Sequence, residues 1–190
     1  MFFLRQPPAD DVSKFLLAQK SQDFSYPEVG ATRGTPPAGY TVDHNRIQLG
    51  LGELVFERAV SALRSWKQFE LGWVRVMPEH PPLEVGAIVA VQARTLGLWS
   101  LNATRIVYVI DNHGPIRTFG FAYGTLPDHA ECGEERFTIE WRAEDESVSY
   151  DILAFSRPQK LLAKMGSVWA RKFQRRFARD SLLALRAAVC

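Results

Sequence analysis

The sequence predicts an α+β fold in which a curved antiparallel sheet of about seven strands wraps around one long C-terminal helix. Three observations predict it. Six β-branched or aromatic runs with period two lie between Gly72 and Phe155. Their connections are short and hold turn residues, which implies an antiparallel meander. The chain then returns to helical spacing, with Leu162, Met165, Trp169, Phe173 and Phe177 on one stripe that can cover the buried face of the sheet.

The elements follow in chain order. Asp10 to Gln22 reads as a short helix, with Val12, Phe15, Leu16 and Gln19 at helical spacing and aspartates at its front, where the helix dipole favours them. Ser25 to Gly39 holds three prolines and three glycines and reads as a connecting loop. Tyr40 to Leu49 alternates as a strand. Gly52 to Phe69 then reads as a helix with Leu54, Val55, Ala59, Ala62, Leu63 and Trp66 along one stripe, ended by Gly72.

The six strands are Trp73 to Met77, Ala87 to Thr95, Ala103 to Ile110, Thr118 to Thr125, Glu134 to Arg142 and Val148 to Phe155. Ser156, Arg157 and Pro158 resemble a helix start, since serine caps and proline is tolerated in the first turn. Gly166 predicts a kink or a close backbone contact in the final helix. Residues 1–39 are expected as a helix-and-loop extension packed on a domain spanning 40–190, one domain overall.

Composition narrows the class. A chain of 190 residues that is 46% hydrophobic can bury a substantial core. Two cysteines, Cys132 and Cys190, are too few for a secreted disulfide framework, which favours a reducing, cytoplasmic setting. No signal-peptide centre and no apolar run of spanning length appears. The net charge of +2 is unevenly placed: Arg157 to Arg186 holds nine Lys or Arg against Asp180 alone, so a mildly acidic body carries a basic C-terminal element.

At this point the chain resembles a known group. Gly72 to Pro78 (GWVRVMP), Asn102 to Asp111 (NATRIVYVID), Phe119 to Phe137 (FGFAYGTLPDHAECGEERF) and Tyr150 to Pro158 (YDILAFSRP) resemble an uncharacterised bacterial and plant family classed as a domain of unknown function. That family lies within the START and birch-pollen-allergen (SRPBCC) superfamily of helix-grip, lipid- and small-ligand-binding domains. The resemblance runs from about Tyr40 to the C-terminus. It implies a helix-grip fold with a ligand cavity between sheet and helix, and it implies no catalytic positions and no cofactor.

The segment from Phe119 to Phe137 carries the candidate chemistry. Phe119, Phe121 and Tyr123 alternate with Gly120, Ala122 and Gly124, so one face is aromatic and the other nearly bare. The aromatic face is expected to be core or cavity wall; the bare face leaves room for a ligand or a close neighbour. On the next strand Glu135 shares a face with Phe137, Ile139 and Trp141. There it could hold a ligand's polar group or act as an acid or base, or it could pair with Arg105 or reach solvent.

His129, Glu131, Glu134 and Glu135 lack the spacing of a zinc motif, so no metal site is expected. Cys132 beside His129 is read as a solvent-facing or structural turn cysteine. Trp99, in a Gly97–Ser100 turn, either closes a cavity mouth, touches a membrane or anchors a loop.

The expected function is therefore a binding module for an apolar small molecule or lipid, with Trp99, Arg105, Phe119, Phe121, Tyr123, Glu135, Phe137 and Trp169 as candidate contacts. The alternative is a cyclase, hydrolase or lyase of a hydrophobic substrate that uses Glu135 or His129 as acid or base. A third reading is peripheral contact of the basic helix with an anionic membrane. Specific nucleic-acid binding is not expected, and the oligomeric state is left open.

Overall fold

The structure is a computed structural model that describes residues 1–159 and 167–189. The elements are β1 (Phe2–Phe3), α1 (Ala9–Ala18), β2 (Thr41–Leu51), α2 (Glu53–Arg64), β3 (Val74–Met77), β4 (Ile88–Thr95), β5 (Leu98–His113), β6 (Ile116–Thr125), β7 (Glu131–Arg142), β8 (Ser147–Pro158) and α3 (Ser167–Val189). The strands form one sheet in the order β2-β8-β7-β6-β5-β4-β3, with β1 paired to β5. All pairings are antiparallel.

The concave face holds the larger core. Phe121 lies opposite Phe137 and Phe119 opposite Ile139, so the aromatic face of β6 and the apolar face of β7 point the same way. Both are buried together with Tyr150 and Ile152 of β8, Phe56, Ala59 and Leu63 of α2, and Leu185 and Val189 of α3. Burying each large aromatic contributes about 3 kcal/mol gross. That interior is what α2 and α3 cover.

The second helix departs from its expected span. It ends at Arg64, and Trp66 adopts a left-handed backbone (φ 58°) that starts a 3-10 turn over Lys67–Phe69. A non-glycine residue there costs about 1 kcal/mol, which is offset by where the turn delivers its rings. Trp66 is buried against Phe121 at 4.8 Å between ring centroids, with its indole N–H donating to the Pro81 carbonyl at 2.9 Å. Phe69 packs between Phe137 and Phe177, at 5.6 and 5.1 Å.

The convex face is also covered. Val12 and Phe15 of α1 bury Ala90, Leu101, Ala103 and Leu126. Next to them, residues 24–34 run over β6, β7 and β8, and Glu134, 2% exposed, fastens them down. Its carboxyl accepts from the Tyr26 hydroxyl (2.6 Å), the Gly30 N–H (2.7 Å), the Thr32 N–H (3.0 Å) and the Thr32 hydroxyl. Gly124 makes room for this strap, since a Cβ there would stand 2.1 Å from the Tyr26 hydroxyl oxygen.

Two further expectations are corrected. Ser156, Arg157 and Pro158 end β8 and do not start a helix: Gly133, Cys132 and Glu131 pair with them and extend the β7–β8 ladder. Trp99 lies in β5, opposite Arg94, because the turn falls earlier, at Leu96 and Gly97 with φ of 51° and 81°. The seven expected strands are joined by the short β1. Gly166, Leu162 and Met165 lie outside the described residues.

Gly124→Ala is expected to destabilise the protein by about 2 kcal/mol through overpacking against Tyr26. Combined with Tyr26→Ala, which removes the clashing ring, the total loss should fall short of the sum of the two single losses. Urea unfolding of the four variants measures this; strict additivity would separate the glycine from the strap.

Candidate functional site

Period two in β7 sends consecutive glutamates to opposite faces: Glu134 to the strap and Glu135 to the concave side. Glu135 is partly buried and lies opposite Tyr123 on β6 and Ala154 on β8. Its carboxyl accepts a hydrogen bond from the Tyr123 hydroxyl at 2.6 Å, the one hydrogen bond it makes among the described residues. Burial pushes its pKa up to about 7, against the hydrogen bond from Tyr123, and the Asp43 carboxylate adds to the rise. The acid is therefore poised near neutrality on an otherwise aromatic wall.

A polar rim surrounds it where β7 begins and where β6 and β8 end. Asp43 at the start of β2 takes a two-pronged ion pair from Arg171 of α3, at 2.5 and 2.7 Å. Gln174, one turn on, donates to the Ser156 hydroxyl at 3.0 Å. Burial also raises the Glu131 carboxyl, opposed by Arg171 and by the Ser156 hydroxyl. Deeper along the same wall the Tyr150 hydroxyl meets Ser181 at 3.1 Å. Arg171 and Gln174 thus tie the first turns of α3 to the sheet beside Glu135.

The structure gathers some of the sequence candidates and separates others. Phe121, Tyr123, Phe137 and Glu135 share the concave face. Phe119 lies on that face at the far end of the sheet, where the Arg64 guanidinium stacks on it at 4.1 Å. Arg105 is not a partner of Glu135. Its guanidinium lies on the convex face, donating to the Gln19 and Lys20 carbonyls at the end of α1.

His129 is separated as well. Its turn packs onto α1 through Leu126 and an Asp128–Gln19 hydrogen bond of 2.9 Å, and its ring nitrogen takes the Glu131 N–H at 3.0 Å. Burial lowers its pKa to about 4, so it is neutral at pH 7, and among the described residues no shared partner links it to Glu135. Trp99 has Arg94 over its ring at 5.8 Å. Trp169 lies in α3, and its side chain is outside the described residues. Cys132 is buried in β7 with its thiol on the Ser25 carbonyl, a structural place and not a solvent-facing one.

Sequence reasoning missed Asp43, Arg171, Gln174 and Ser156. The Asp43–Arg171 pair spans 128 residues, and no local pattern signals it. Two depressions lie away from Glu135. One of about 310 Å³ sits between α2 and the β5–β6 hairpin, lined by Phe56, Arg64, His113 and Arg117. The other, of about 910 Å³, lies beside α1, lined by Leu16, Leu17, Lys20, Ile88 and Arg105. Among the described residues no group of three or more His, Cys, Asp or Glu could hold a metal ion, and no helix is long and apolar enough to cross a membrane.

Residues 25–184 match the family described as Domain of unknown function (DUF1990). The chain belongs to the DUF1990 family. It is 35% identical over 208 residues to a UPF0548 protein of Dictyostelium discoideum, covering all of this chain and 96% of the relative. It is also 35% identical over 202 residues to a UPF0548 protein of Deinococcus radiodurans, covering the whole of both. Among solved structures it is similar to the Zhui aromatase/cyclase from Streptomyces sp. R1128, with a TM-score of 0.53 at 12% identity over 79% of this chain and 93% of that one. At that identity the likeness is one of fold, and the fold of this DUF1990 chain is the helix grip.

In this DUF1990 protein the Glu135 titration leaves a mark on stability. A carboxyl whose folded pKa is raised binds a proton more readily when folded, so stability falls as pH rises from the unfolded value, about 4.3, to the folded value of about 7, and is flat above. His129 works oppositely, losing stability as pH falls from about 6.5 to about 4. The difference between wild type and Glu135→Gln isolates the first effect. Glu135→Gln should gain stability relative to wild type as pH rises from about 4 to about 7 in thermal melts, with no further gain above; an unchanged difference would place the Glu135 pKa near its ordinary value.

Proposed function

We propose that this chain binds a small, largely apolar molecule bearing one hydrogen-bonding polar group, at the Glu135 end of the space between the sheet and α3. The observation that carries the reading is the Glu135–Tyr123 pair: a carboxyl poised near pH 7, not paired with a cation among the described residues, set into an aromatic wall. The wall supplies apolar area, at roughly 25 cal/mol per Å² buried. The carboxyl and phenol fix orientation, and together they can accept and donate. The helix-grip resemblance supports the same reading, because ligands in that superfamily sit between sheet and helix.

The packing limits where such a molecule fits. Trp66, Phe69 and Phe177 fill the middle of the grip, so the ligand lies toward the polar rim of Asp43, Ser156, Arg171 and Gln174 rather than along the whole helix. The value of about 7 also favours a second reading, proton transfer to or from the bound molecule by Glu135. His129 takes no part in it.

Native mass spectrometry of protein purified without detergent tests the binding directly, with a retained small mass expected. Displacement of an anilinonaphthalene sulfonate probe by the recovered compound supplies an affinity. Ala154→Phe, beside Glu135 on the same face, should weaken probe binding about tenfold while melting at the wild-type temperature. Probe binding that survives both Ala154→Phe and Glu135→Gln would overturn the reading. A recovered compound whose mass changes on incubation with wild type but not with Glu135→Gln would mark the second reading.

A further inference from the structure

The strands β4 and β5 continue beyond the point where the rest of the sheet stops. Strand β6 pairs with β5 only from Thr104 onward, whereas β4 remains paired out to Thr95 and Leu98. The vacated edge is taken by β1, with Phe2 opposite Ser100 and Phe3 opposite Trp99. The result is a three-stranded tongue projecting from the same end of the sheet at which β7 and the Glu135 rim begin.

The tongue is apolar where it should be wet. Leu96, at its apex, is 73% exposed, Leu98 41%, Phe2 67% and Leu4 85%. Phe2 shares a face with Leu98, since both stand on the side of Ser100. Exposed leucines at a hairpin apex beside an exposed phenylalanine form a contiguous apolar end, unlike the scattered single residues that need no explanation.

Its charge is one-sided. Residues 85–110 contain no Asp or Glu, nor do residues 1–9, while Arg5 and Arg94 are exposed on the tongue. Arg94 is tied by its backbone N–H to the Trp73 carbonyl at 2.7 Å, and the Arg176 guanidinium of α3 stacks on that same Trp73 at 4.3 Å. Arg5 and Arg94 thus supply the cations of the tongue itself, while Arg176 on the neighbouring helix is paired with Asp180, which also accepts from the Trp73 indole. Apolar tips with cations set back from them match an anionic bilayer, whose acyl boundary takes the leucines and whose phosphates take the arginines.

We propose that the β1–β4–β5 tongue docks onto an anionic lipid membrane, with Leu96, Leu98, Phe2 and Leu4 entering the headgroup boundary and Arg5 and Arg94 meeting lipid phosphates. This docking stands apart from ligand binding at Glu135, though it would turn the Glu135 rim toward the bilayer. The basic outer face of α3 is the weaker candidate, because among its described residues Leu183 is the one exposed large apolar side chain.

The test is cosedimentation with phosphatidylcholine vesicles, with and without about 30% phosphatidylglycerol, at low and high salt. Wild type should bind the anionic vesicles and lose most of that binding at high salt. Leu96→Asp with Leu98→Asp should lower the partition coefficient about tenfold or more, and Arg5→Glu with Arg94→Glu should lower it severalfold. Leu96→Gly guards against misfolding as a cause, since glycine suits the left-handed backbone there (φ 51°), and it too should weaken binding. Failure of wild type to bind anionic vesicles overturns the proposal, as does undiminished binding by Leu96→Gly or the double aspartate variant. The anilinonaphthalene sulfonate probe, read on the same variants without vesicles, should be unaffected, so failure of docking and failure of ligand binding are read separately.

Discussion

The carboxyl of Glu134 is the point on which the architecture turns. It is buried on the convex face of β7 and receives four donors, every one from residues 26 to 32. A buried acid without donors would cost several kcal/mol, so the strap and the acid require each other. Behind it the Tyr108 hydroxyl meets Thr32 at 2.7 Å, and Arg136 donates to the Thr32 carbonyl at 2.8 Å while pairing with Asp151. The convex side at β5, β7 and β8 is thereby an ordered polar layer rather than a solvated surface.

With that side closed, the centre of the sheet is buried on both faces. This explains why every residue of β6 from Phe119 to Thr125 is buried, when an antiparallel sheet in water normally alternates. It also gives each face of the Phe119–Tyr123 pattern its own neighbours: the aromatics meet α2 and α3, Gly124 meets the strap at Tyr26 and Phe24, and Gly120 lies close against Phe137 and Thr138 of β7. Glu135 differs from Glu134 by one residue and one face, and among the described residues it has none of the strap donors that satisfy its neighbour. One carboxyl is saturated with donors, and the other takes a single hydrogen bond among the described residues, from Tyr123.

Much of this was legible in the chain. Period-two patterning located every long strand, and the placement of Glu135 with Phe137 and Ile139 followed from alternation alone. Strand ends were less legible, since Ser156 and Pro158 carry local helix-start chemistry that the ladder with Gly133 and Glu131 overrides. Arg105 was misassigned because strand patterning names a face only relative to its own strand, and a bulge between Ile106 and Tyr108 shifts the register beyond it. The packing of residues 1–39 on the domain was expected, but the pairings that fasten the polar rim and the strap were not legible: Asp43 with Arg171, and Tyr26 with Glu134, are over 100 residues apart, and no short window contains both members.

That separation bears on the order in which the molecule can assemble. Residues 26 to 32 leave the ribosome roughly 100 residues ahead of Glu134, and at ordinary synthesis rates they wait several seconds with their donors turned to water. Closing so long a loop is entropically slow compared with zipping the β6–β7 and β7–β8 hairpins, whose partners are near in sequence. The strap is then a late addition, laid over a sheet that already exists. The outer layer would serve as the last checkpoint of folding, and a chaperone meeting the half-made protein would find the bare glycine face of β6 still uncovered.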